Sequence, residues 1–176
     1  MEFSLSDIFS SGQLSQINLA NQILKTNEKS FEFGLLLTEA QANELSVCRK
    51  ETLSDEKRIE FKESAVTKII EKFCESSYIS QKEYAETLSE LIEIFYENKN
   101  ESEDTLADDE LIDVMFSLFE HKSGGSLEDL RTRDLEAICR NIRHGARDIF
   151  NPDSRYDGED YVEDTDDYNE DNFDEY

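Results

Sequence analysis

The chain has 176 residues, 37% of them hydrophobic, and a formal net charge of −25. A balance this acidic repels phosphate, which argues against ordinary nucleic-acid binding and against adhesion to anionic membranes, and leaves basic molecules as the charged partners that fit. The acid is unevenly spread: residues 145–176 carry thirteen Asp/Glu against Arg147 and Arg155, whereas residues 1–144 keep nearly all the aliphatic side chains. The expected organisation is therefore a helical globular domain over 1–150, followed by an acidic, aromatic-interleaved disordered tail over 151–176 that lacks the apolar surface to offset the entropy of ordering.

Proline occurs once, at Pro152, so long helices are permitted almost throughout. After a short turn with Leu5, Ile8 and Phe9, the spacing of Leu14, Ile17, Ala20 and Leu24 predicts a first amphipathic helix. FEFGLLL (31–37) reads as an extended, buried connector, and TEAQ (38–41) as a capping box opening a helix that carries Ala42, Leu45 and Cys48. RIEF (58–61) is a second short extended candidate, able to pair with 33–37. Val66, Ile69, Ile70, Phe73 and Cys74 recur at helical spacing, and SQKE (80–83) reads as another capping box before Tyr84, Leu88, Leu91, Ile92 and Phe95.

Residues 107–125 begin with acids suited to a positive helix end and bury Leu111, Ile112, Met115, Phe116 and Phe119, with Gly124 as the stop. SLED (126–129) restarts a turn. Leu135, Ile138, Cys139, Ile142, Ala146 and Ile149 line one face of a last helix that ends before Asn151-Pro152. The class is all-α: a compact bundle of six or seven helices, with room for one very short two-stranded element.

FGLLLTEAQANEL, RIEF, FCESSYISQKEYAETLSELIEIFY, DDELIDVM and GGSLEDL, in this order, make the chain resemble an uncharacterised family of bacterial cytoplasmic proteins, a domain of unknown function, over roughly residues 30–145. The resemblance implies a bacterial origin. It brings no activity and no catalytic residues.

Motifs for chemistry are sparse. There is no C-x-x-C, H-E-x-x-H or E-x-x-H, and no phosphate-binding glycine loop. KSGGS (122–126) reads as an interhelical turn. In the acidic stretch, DSRYDGEDYVED (153–164) imitates a calcium loop but has Arg155 at its third position and lacks the closing Glu. Cys48, Cys74 and Cys139 are odd in number and lie on apolar stripes, which points to buried thiols in a reducing cytoplasm. The N-terminus has no basic residue before Lys25 and does not read as a signal peptide. No cofactor is implied.

The local feature that stands out is basic. RTRDLEAICRNIRHGARDIF (131–150) holds Arg131, Arg133, Arg140, Arg143, His144 and Arg147, with Arg133, Arg140, His144 and Arg147 near a common outward strip of the last helix, directly before the most acidic segment. The tail's rings, Tyr156, Tyr161, Tyr168, Phe173 and Tyr176, follow neither strand nor helix spacing and suit capture by a basic, apolar-lined groove. The arginines either pair with carboxylates of neighbouring helices or receive the folded-back tail. Together these residues predict a non-enzymatic protein–protein interaction module with a basic protein partner, no direct nucleic-acid contact and no membrane contact. The alternatives are a nucleic-acid mimic that occupies a DNA- or RNA-binding protein, and a small carboxylate-based enzyme.

Overall fold

The computed structural model describes residues 5–60 and 64–143, with side chains over 14–60 and 64–142. Every regular element within that span is helical, so the all-α class is the one found. The order is α1 (Leu5–Lys25), a short turn α2 (Asn27–Ser30), a 3-10 turn (Phe31–Phe33), α3 (Glu39–Asp55), α4 (Ala65–Phe73), α5 (Tyr84–Glu101), α6 (Asp108–His121), a single turn α7 (Leu127–Asp129), a π-helical stretch (Leu130–Leu135) and α8 (Glu136–Arg143). Helix α5 is the hub: α3 packs on one side of it, α4 and α6 on another, and α8 near its C-terminal half, while α1 lies against α3. No described helix is long and apolar enough to cross a membrane.

The apolar spacing of α4 to α6 dictates this packing. Val66, Ile69, Ile70 and Phe73 of α4 and its C-cap Cys74 are all buried, as are Tyr84, Leu88, Leu91, Ile92 and Phe95 of α5. Phe73 meets Phe116 and Phe119 of α6 edge to face, with ring centroids 5.4 and 5.6 Å apart. Burial of each such side chain contributes about 1.5–3 kcal/mol relative to exposure. The Thr38 capping box forms as expected: Gln41 N donates to Thr38 Oγ1 at 3.3 Å, and Thr38 N donates to Gln41 Oε1 at 3.0 Å.

Four expectations are corrected. In α1, Ala20 is buried and Leu24 packs partly buried on the core as expected, but Leu14 and Ile17 are more than half exposed and Leu19 and Ile23 are buried in their place, so the inward face is rotated from the one the spacing suggested. FEFGLLL is not buried throughout: Phe31 and Phe33 sit exposed in the 3-10 turn, and only Leu35 and Leu37 point inward. The strand pair between 33–37 and 58–61 is absent among the described residues. The extended segment takes its backbone bonds from Ser30, which serves Leu35, and from two amide side chains. Asn27 donates to Leu37 O and accepts from Leu37 N, both at 2.8 Å, and Gln81 does the same for Leu36. SQKE does not cap α5. Ser80 Oγ lies 3.5 Å from Glu83 Oε2, residues 81–83 form a turn, and the helix begins at Tyr84.

RIEF has a different task. Glu60 holds three elements together, accepting from Arg49 Nε of α3 at 2.8 Å, from Tyr96 Oη of α5 at 3.0 Å and from Ala65 N at the start of α4 at 3.0 Å. Both partners of the Arg49–Glu60 pair are largely shielded from solvent. At the far end of α5, the nearly buried Lys99 Nζ reaches Asp108 Oδ1 at 2.9 Å and fixes the start of α6. The Arg49–Glu60–Tyr96 pin ties α3 to α5, and the space between those two helices is the site.

Candidate functional site

Helix α3 lines one side of the groove with exposed Glu51 and Asp55, half-buried Cys48 and buried Thr52. Helix α5 turns Ser89, Glu93 and Glu97 toward them. The two helices bound a groove of about 510 Å³, into which Glu56 also projects. Past Glu56 and Glu97 it continues into a smaller hollow of about 280 Å³ lined by Asn100, Glu101, Arg131 and Glu136.

Charge in the groove is unevenly compensated. Arg131, from the π-helical stretch, lies across the α5 rim, with Nη2 3.1 Å from Glu93 Oε2 and Nε 2.9 Å from Glu97 Oε2. It is the one cation lining either hollow among the described residues. Glu56 Oε2 accepts from Asn100 Nδ2. Glu51 and Asp55 make no ion pair or side-chain hydrogen bond among the described residues. Burial pushes the Glu97 carboxyl above the ordinary range; Arg131 pulls it back, and Glu56 and Glu93 add to the rise.

The thiol in the groove is not activated. Burial raises the Cys48 pKa, nearby Glu93 adds to the rise, and Cys48 Sγ donates to Ser89 O at 3.7 Å. Cys74 and Cys139 are buried free thiols as the sequence predicts, with Cys139 pushed up to about 11 by burial. Cys48 departs from that expectation by being only half buried. Among the described residues, no group of three His, Cys, Asp or Glu side chains is placed to hold a metal ion.

The basic strip comes apart where it is described. Arg133 is exposed and pairs with Asp129 at 3.4 Å and Asp134 at 3.0 Å; Arg140 pairs with Glu136, one turn earlier, at 2.6 Å. These arginines serve carboxylates of their own helical segment. Arg143 closes α8 and its side chain lies outside the described residues, as do His144, Arg147, Tyr156, Tyr161, Tyr168, Phe173 and Tyr176. Asp134 itself is buried. Burial raises its pKa, but hydrogen bonds from Arg133, Ser123 and Lys122 outweigh that and hold it below the ordinary carboxylate range.

Sequence reasoning missed Glu51, Asp55, Glu93 and Glu97. Their signal was present, an i,i+4 pair of acids beside the apolar stripe on each helix. Forty-three acids in the chain conceal any two such pairs, and only the packing of α3 on α5 sets them face to face.

The model of a family of unknown function, DUF6323, matches residues 22–148 of the chain. No curated protein and no solved structure matches it.

Proposed function

The chain belongs to the DUF6323 family of unknown function, and from that premise we propose that it is a non-enzymatic protein-interaction module whose α3–α5 groove receives a basic segment of a partner protein. The observation that carries this reading is the pairing state of the groove. Glu51 and Asp55 have no cation, and they face Glu93 and Glu97, which share a single arginine. Like charges held close in a concave, partly desolvated site raise the energy of the free protein, and a lysine or arginine entering between them relieves it. Association of this kind is fast, steered by the overall charge of −25, and weakened by salt.

In this reading the acidic C-terminal stretch is an accessory for solubility or docking. The free thiols of Cys48, Cys74 and Cys139 support a cytoplasmic location. A second reading, a carboxylate enzyme, draws on the raised Glu97, since a general acid needs such a shift. The Arg131 contact at 2.9 Å counts against it, because it commits that carboxylate to an ion pair.

Fluorescence anisotropy with a labelled nona-lysine peptide tests the proposal. Glu51→Gln/Asp55→Asn is expected to weaken binding about tenfold at low salt and to flatten the dependence of affinity on salt. Unchanged affinity in that variant contradicts it. A basic nucleic-acid-binding partner that is captured from lysate and released by added DNA selects the mimic instead.

A further inference from the structure

A second concavity, of about 400 Å³, lies further toward the N-terminal end of α5. Its apolar lining is Tyr78, Phe119 and Leu127, and its carboxylates are Glu83, Glu86, Glu90 and Glu128, of which Glu83 accepts from Ser80 Oγ at 3.5 Å. Tyr78 is 51% exposed, and its ring stands edge to face on buried Phe119 at 6.1 Å. Gly125 sets the ring in place: a Cβ there would lie 2.6 Å from Tyr78 Cβ and Cγ, and its φ of +84° is one that side chains rarely adopt. Glu86, Glu90 and the Glu128 carboxylate make no ion pair or side-chain hydrogen bond among the described residues, and no lysine or arginine lines the cavity.

We infer that this cavity is an anchor pocket for one lysine or arginine side chain of the basic segment that occupies the groove, the methylene stem lying on Tyr78 and Leu127 and the cation among the unpaired carboxylates of Glu86, Glu90 and Glu128. The inference rests on the groove reading and adds to it a position-specific contact. An aromatic face attracts a cation directly, and a long basic side chain buries its stem while its charged head stays among polar groups. Charge complementarity selects this occupant over an uncharged apolar residue, which would leave the carboxylates facing it without compensation. At 100° per residue, Glu86, Glu90, Glu93 and Glu97 fall within a sector of roughly 60° on α5, so cavity and groove share one outward stripe. The rise from Glu90 to Glu97 is about 10 Å, which an extended chain covers in about three residues. One segment therefore reaches both.

The experiment compares nona-lysine with nona-ornithine, whose stem is one methylene shorter. The wild-type chain is expected to prefer the lysine peptide about three- to fourfold, the effect of one buried methylene. Tyr78→Ala and Glu90→Gln are each expected to weaken nona-lysine binding, Tyr78→Ala with loss of the preference and Tyr78→Phe with retention of it. A preference that persists in Tyr78→Ala, or its absence in the wild type while Glu51→Gln/Asp55→Asn still weakens binding, overturns the anchor and leaves the groove standing. If neither peptide binds the wild type, both fall. Circular dichroism of each variant separates a lost pocket from a lost fold.

Discussion

The seam between α4 and α6 and the groove between α3 and α5 are both helix pairs with charged rims, and they treat those charges in opposite ways. On the seam, Lys68 pairs with Asp109 at 2.8 Å and Lys72 with Asp113 at 2.6 Å, each one turn after the other on both helices. Lys72 also stands 5.1 Å from the Phe116 ring centroid. In the groove, Glu51 and Asp55 face Glu93 and Glu97, and Arg131 pairs only with the two α5 acids from the rim. The seam has settled its charges internally and is built for stability. The groove has kept an excess of one sign, which costs some stability and leaves a cationic partner something to gain.

That contrast can be broken at several points. The largest effect belongs beneath the seam: Phe73→Ala removes a fully buried ring in contact with two others and is expected to cost about 3–5 kcal/mol in chemical denaturation. Asp134→Asn comes next, at about 1–3 kcal/mol near neutral pH, because a buried carboxylate with three donors is replaced by a weaker acceptor. Its sign with pH follows from the lowered pKa. The stability that Asp134 contributes is present above its unfolded value near 4 and is lost as pH falls through the lower folded value. The gap between wild type and variant should therefore close in acid, as urea titrations at pH 7 and pH 3 would record.

Smaller still is the seam's exposed ion pairing. Lys72→Gln is expected to cost less than about 1 kcal/mol and to lose that effect in high salt, without altering peptide affinity. The smallest stability change belongs to Glu51→Gln/Asp55→Asn, within about 0.5 kcal/mol of wild type or slightly stabilising, although its effect on binding is the greatest of the set. A groove variant that unfolds the protein, or a seam variant that abolishes binding, would erase the distinction.

How much of this was legible in the sequence depends on how local the cause is. Helical class, the α4 and α5 faces and the Thr38 cap are set by residues within a turn or two of one another, so spacing alone predicts them. The pairing of the Leu35–Leu37 segment was misread because its backbone is satisfied by Ser30, Asn27 and Gln81, none of which carries a strand signature. The inward face of α1 was misread because Leu14 and Ile17 share the apolar character of residues that pack, and only contact with α3 decides between them. The groove has the same origin. Its acids look like any solvated helix face until Glu60, Arg49 and Tyr96 fix the spacing of the two helices.

The most direct test is to map amide chemical shifts in the full chain as nona-lysine is added at low salt. The account predicts shifts concentrated over residues 48–56 of α3 and 86–97 of α5, with the α4–α6 seam unmoved. Shifts spread evenly over every acidic surface, or confined to the seam, would contradict it.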